Sequence, residues 1–327
     1  MGMKDVSKYG QVWGALPQAI GAVYYVAPGS TVTVAGRVYP VSDSKNDGLS
    51  PERPFATIAQ ALLKVQANAG DVICLHPGTH TSAVAAASVA GVTFVGLPYM
   101  PDAAVNGIVG WQPQATVTGS TGVAIAITAA DNAFYNIRFL PVTAKTGITI
   151  TTAGARTSFT HCMFDTTGVA GNTSTKCVVV TSTNLPRGIM FNGCVFYDAS
   201  VTTSQGAWVD FGAAVDFLVS KCIAYKDGSV GSGVALTAGF VVNDNTTGTF
   251  SDNDFLCSDI AVAVTAWVLG ATLTGAGVVH GIRNTQTFTT SSKMFSTFAG
   301  ADMDLCLNYS ADTQTGGTGG ALVTASA

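Results

Sequence analysis

Phe134–Phe139 (FYNIRF), Phe159–Phe164 (FTHCMF), Phe191–Phe196 (FNGCVF), Val219–Ala224 (VSKCIA) and Phe250–Phe255 (FSDNDF) align without a gap. Their starts are 25, 32, 28 and 31 residues apart. Such uneven spacing rules out a helical repeat and suits a solenoid whose loops vary in length. The fourth and sixth positions lie two apart, so a strand places them on one face, and that face is apolar in four of the five segments. The second, third and fifth positions carry Asn136, Arg138, His161, Lys221, Asp252 and Asp254. About ten residues before the later four hexads runs another apolar stretch: Ile148–Ile150, Val178–Val180, Trp208–Phe211 and Phe240–Val242. Two or three strands per coil, each stacked on its equivalent in the next, make an all-β fold, a right-handed parallel β-helix.

Stacking then places like residues above one another, ~4.8 Å apart. Cys162, Cys194 and Cys222 become an interior thiol ladder below Ile137. The Phe positions become two aromatic stacks, one of Phe134, Phe159, Phe191 and Phe250, the other of the last-position Phe139, Phe164, Phe196 and Phe255. A catalytic Cys is the competing reading, and it lacks a His or basic partner on the inward face.

Outward from the hexads, composition agrees. The chain has 327 residues, of which 10% are charged, with a formal net charge of −4, 37 Gly and a single Glu, Glu52. Small and β-branched residues fit pleated strands joined by tight turns. No basic excess marks a nucleic-acid surface. Residues 1–11 are polar and do not read as a secretory leader. Ile260 to Val279 is long enough to span a membrane, yet Gly and Thr interrupt it, and a buried β coil fits better. The seven widely spaced Cys form no C-x-x-C, which fits reduced buried thiols and disfavours zinc or a disulfide framework.

Four regions follow. Residues 1–40 read as an N-terminal attachment arm, with Val23 to Val34 alternatively folding back as an extra strand over the first coil. Residues 41–81 read as a cap: a loop from Asp43, an amphipathic helix over Thr57 to Ala69 carrying Ile58, Leu62 and Val65, then the buried strand Val72–Leu75. Residues 82–310 are the solenoid, and 311–327 a Gly-rich tail that a free monomer would leave disordered. The apolar Trp13, Leu16 and Ile20 are the expected contact residues of the arm.

The cap carries a family likeness. Asn46-Asp-Gly-Leu-Ser-Pro-Glu-Arg-Pro-Phe-Ala-Thr-Ile-Ala-Gln-Ala-Leu and Gly70-Asp-Val-Ile-Cys-Leu-His-Pro-Gly-Thr-His resemble the opening of pectate-lyase-like right-handed β-helix proteins. The likeness covers roughly residues 43–81 and implies the fold. Polysaccharide lyases, phage tailspikes and phage head proteins share it. The run Gln11-Val-Trp-Gly-Ala-Leu-Pro-Gln resembles docking segments of virion proteins. A lyase of the pectate type would need clustered acids for Ca²⁺ and a nearby Arg as base.

For chemistry, the acid candidates are Asp252 and Asp254, with Asp216, Asp227 and Asp244 near them in sequence. Inverting glycoside hydrolysis needs two carboxyls ~6.5–9.5 Å apart, which neighbouring coils can supply. The competing reading makes these turn and surface residues. Arg138, Arg156, Arg187 and Arg283 look scattered, away from any acid cluster in the hexad register. His76, His80, His161 and His280 lack metal-ligand spacing, and His76 and His80 merely flank the Pro77-Gly78 turn. No cofactor is implied.

The expected function is therefore structural: a phage virion protein of the capsid decoration or cement kind, without catalysis. It would be a homotrimer made in the host cytoplasm, seated on the capsid surface against the major capsid protein or another virion protein. It would contact neither nucleic acid nor membrane. The full trimerising and head-binding domains of tailspikes have no counterpart here. A tailspike or polysaccharide-degrading β-helix enzyme (glycoside hydrolase or polysaccharide lyase) is the first alternative. A non-catalytic glycan- or receptor-binding fibre is the second.

Overall fold

The computed structural model describes residues 21–322 except 83–84, 98–112, 120–122, 143–145, 167–175, 182–185, 199–206, 228–235, 244, 258–263, 271–277, 288–292, 297–302, 307 and 312–320. Among the described residues the chain winds into three long sheets of ten, ten and eight strands. The first sheet runs from Val23–Val26 to Met303–Cys306, with every neighbouring pair parallel. The second runs from Gly78–Ser82 through Tyr309–Ala311 to Ala321–Leu322, and the third from Ala85–Ala87 to Lys293–Ser296. This is a right-handed parallel β-helix with three strands per coil.

The hexads stack as aligned. Phe134 pairs with Phe159, Phe159 with Phe191, and Phe191 with Val219. The rings of Phe94, Phe134, Phe159 and Phe191 lie nearly parallel, with successive centroids 4.7, 5.1 and 5.0 Å apart. Phe139, Phe164 and Phe196 make a second stack in the next sheet, edge-on to the first. Such offset and edge contacts add about 0.5–1.5 kcal/mol per pair beyond burial. Phe250 keeps its register in the column but not the ring stacking. Val219 separates it from Phe191, and its ring meets Phe217 and Phe240 edge-on at 5.3 Å instead.

The hexad is not one strand. Its third residue turns the chain from the first sheet into the second, with a left-handed backbone at Asn136, His161, Gly193, Lys221, Asp252 and Arg283 (φ 49–59°). Non-glycine residues adopt this conformation at a cost. Here each corner stays bonded: the N–H of Asn136, His161, Gly193, Lys221 and Asp252 donates to the second-position carbonyl one coil on. Positions one, four and six point inward across the corner. Ile137, Cys162, Cys194 and Cys222 are all at most 2% exposed, as the alignment requires.

In the third sheet Gly239 sits between Trp208 and Trp267 in register. A Cβ there would lie 2.9 Å from the Trp208 ring and from the Trp267 carbonyl oxygen. The missing side chain lets two buried indoles from alternate coils stack at 6.2 Å.

Both ends need correction. Val23–Val26 pairs with Val72–Leu75, so residues 23–26 form the extra strand over the first coil, the alternative of the two readings, and the arm cannot extend to residue 40. Thr31–Val34 and Arg37–Pro40 form an antiparallel hairpin of their own. The helix spans only Ile58–Leu62, capped by the Thr57 hydroxyl accepting from the Gln60 N–H. Ile58, Ala61 and Leu62 face the core, and the helix packs against the first described strand of each long sheet. Val65 is buried as expected, but beyond the end of the helix. At the other end Ala321–Leu322 returns antiparallel onto Tyr309–Ser310, so part of the Gly-rich tail closes the second sheet. Trp13, Leu16 and Ile20 lie outside the described residues.

Candidate functional site: the outer face of the second sheet

The residue after each hexad points outward from the second sheet, where register places Asp165, Tyr197, Tyr225 and Leu256 in one column. The half-buried rings of Tyr197 and Tyr225 stack at 5.7 Å. The Tyr197 hydroxyl donates to Asp227 at 3.3 Å. Burial, and then the Asp227 charge, push this phenol up to about 12, so it remains a donor. Asp165, 1% exposed, accepts from Arg138 at 2.5 Å. The fifth-position column of the same face runs through Val195 and Ile223 to Asp254.

The two leading acid candidates are adjacent but not alike. Asp252 occupies a corner and receives both Nε and Nη2 of Arg283 from the next coil, at 2.7 and 2.9 Å. The Arg283 hydrogen bond holds its carboxyl below the usual range, the wrong direction for a general acid. Asp254, on the outer face, accepts from the Thr285 hydroxyl of the next coil. Asp216 is bonded to Thr247, again one coil on. Asp244 lies outside the described residues.

The arginines are therefore not scattered. Arg283 stands directly on Asp252 in the hexad register, Arg156 grips Asp131 through two nitrogens, and Arg138 holds Asp165. Lys226 and Asp198 form a pair buried to 1% on each side, and Lys176 pairs with Asp210. Each of these pairs bridges two neighbouring coils. Sequence reading missed the Arg283–Asp252 pair because the sixth coil reads Gly281-Ile-Arg-Asn-Thr-Gln286, with Gly and Gln where earlier hexads carry aromatic or apolar residues. The tyrosine pair was findable as a seventh position shared by Tyr197 and Tyr225.

The thiols are not poised for chemistry. Burial pushes those of Cys194 and Cys222 well above the ordinary value, so they stay protonated. Among the described residues no three His, Cys, Asp or Glu side chains cluster as a metal site.

No protein-family model matches the chain, and no characterised protein matches it in sequence. Solved structures do resemble it in fold. A pectin methylesterase in complex with a hexasaccharide superposes with a TM-score of 0.52 at 12% identity, over 83% of this chain and 88% of that one. Pectate lyase Pel9A gives 0.51 at 16% identity, over 88% and 79%. At such identity the likeness establishes the pectate-lyase-like β-helix and nothing of the activity.

Proposed function

We propose that this chain is a structural scaffold, a phage virion protein of the capsid decoration or cement kind. One observation carries the reading: Asp216, Asp227, Asp252 and Asp254 are each bonded to a side chain of an adjacent coil. Carboxylates committed in this way brace the solenoid, and a hydrolase needs at least one left to exchange protons with substrate. The likeness of the cap to phage head proteins gives the scaffold its setting. In this reading three copies surround a local three-fold axis and contact the major capsid protein through the arm of residues 1–20. Cryo-electron microscopy of particles carrying the chain tests the assignment. Density for the β-helix on the shell is the expected result, and density on the tail alone contradicts it. Deletion of residues 1–16 should leave a folded protein that no longer loads onto capsids; normal occupancy would place the attachment surface elsewhere.

A second reading rests on the Tyr197–Tyr225 stack. Two half-buried rings flanked by Asp227 and Asp254 offer a stacking platform of the kind that sugars use, so a glycan-binding or glycan-degrading β-helix is the alternative. Tail density together with binding to a surface polysaccharide would favour it.

A further inference from the structure

His80 stands one coil before Val117 in the inward column that continues through Phe139, Phe164 and Phe196. It is 5% exposed, while its neighbours Thr79 and Thr81 face solvent. An imidazole thus fills the place that valine and phenylalanine fill in later coils. His76 follows the strand Val72–Leu75 and is 4% exposed. The two are tied together, because His80 Nε2 lies 2.8 Å from the His76 carbonyl oxygen, which can only accept. That contact fixes the proton of His80 on Nε2 and leaves Nδ1 as a lone pair. Among the described residues neither His80 Nδ1 nor His76 Nε2 has a hydrogen-bond partner.

We propose that His76 and His80 form a proton-operated latch on the first coil. Neutral, the pair packs into the coil. Protonated, it opens the segment from Val72 to Ser82 while the later coils stay closed. The surroundings favour the neutral form. The Tyr25 ring lies 6.0 Å from that of His76. Among the described residues Glu52 favours a cation on His76 and His80 opposes it, while the His76 carbonyl bond favours a proton on His80 but is outweighed by burial. Burial, and then His80, bring His76 down to about 4, and burial lowers His80 as well. A folded value below the unfolded 6.5 leaves stability intact above about pH 6.5 and removes it as pH falls toward 4. The segment is locally anchored. His76 N–H donates to the Val26 carbonyl and Gly78 N–H to the Gln114 carbonyl; opening frees these bonds, peels the edge strand Gly78–Ser82 from Ala115–Gly119 and loosens Val72–Leu75 from its two neighbours, while the coils beyond keep their own pairing.

The test is amide hydrogen exchange on the full chain at pH 7 and 4.5, corrected for intrinsic rates. Two pH units below 6.5, at tenfold per unit, predict about a hundredfold rise in opening over residues 72–82. Peptides over 158–165 and 190–198 should not change. The double variant His76→Gln/His80→Leu should lose the pH response. Equal loosening in the double variant, or an unchanged 72–82 segment in the wild type, overturns the latch. Should the double variant not fold, a histidine titration of the wild type by NMR decides. His76 titrating near 4 with His80 also below 6.5 upholds the proposal, and either of the two titrating at or above 6.5 refutes it.

Discussion

The inner fourth-position column changes chemistry halfway along the solenoid, from Cys162, Cys194 and Cys222 to Asn253, Asn284 and Asn308, all buried. The two halves do the same work. Each of these side chains donates to the first-position carbonyl one coil earlier. Cys162 reaches Phe134, Cys194 Phe159 and Cys222 Phe191 at 3.3–3.6 Å. Asn253 reaches Val219, Asn284 Phe250 and Asn308 Gly281 at 2.6–2.9 Å. Each column also accepts the fourth-position N–H of the coil before, by sulfur for Cys194 N–H and by amide oxygen for the N–H of Cys222, Asn253 and Asn284. A corner carbonyl and a corner N–H are left over in every coil, and buried backbone groups must be paired. Thiol and carboxamide are two answers to one demand. The amide answers more strongly, because its second N–H also links Asn253 to Asn284 and Asn284 to Asn308 at 2.8 Å.

That difference sets an order of expected effects. Asn284→Ala should be the most damaging, because it removes the amide donor to the Phe250 carbonyl and the acceptor of the Asn253 N–H and breaks the amide chain on both sides. At about 1–3 kcal/mol for each buried unsatisfied group, a loss of about 3–5 kcal/mol is expected in urea unfolding followed by circular dichroism. A loss below about 1 kcal/mol would mean that the amide column is ornamental. Cys194→Ala removes a weaker donor and should cost about 1–2 kcal/mol, with Cys194→Ser recovering part of it. Cys222→Asn sharpens the comparison most. The Phe191 carbonyl, the Cys194 N–H and the Asn253 oxygen already stand where a carboxamide needs them. The unfolding midpoint should therefore stay within about 1 kcal/mol of wild type or rise, and a large loss would show that the two halves are not interchangeable.

The smallest effect belongs outside. Arg283→Ala removes the partner of an exposed carboxylate, and such surface pairs are worth about 0–1 kcal/mol. The Asp252 carboxyl is depressed in the folded state, so its contribution is present above its unfolded value of 3.8 and lost as pH falls through the folded value. In the variant that carboxyl should move back up toward 3.8, which an NMR titration would read.

The same contrast explains what could be read from sequence. Repeated Phe and Cys made coils 134–224 plain, and the inward direction of the thiols followed from their alignment. The Asn half was harder, because Asn reads as a turn residue until its partners one coil away are known. Asn284 and Asn308 sit in segments whose first positions are Gly281 and Leu305, too small or too ordinary to extend an aromatic repeat. The strand Val23–Val26 was legible only as one of two alternatives, since the cap and hairpin separate it from its partner Val72–Leu75 by 49 positions. Inter-coil ion pairs such as Asp252–Arg283 span 31 residues and depend on a register that loops of unequal length conceal.

The central claim is that the polar side chains of this solenoid tie one coil to the next and do not act on a substrate. Incubation of wild-type protein and the Asp252→Ala/Asp254→Ala variant with pectin, polygalacturonate and host surface polysaccharide tests it most directly. The account predicts no release of reducing ends, unsaturated product or methanol by either protein, and a lower unfolding midpoint for the variant. Release by the wild type that the double substitution abolishes, with the midpoint unchanged, would contradict it.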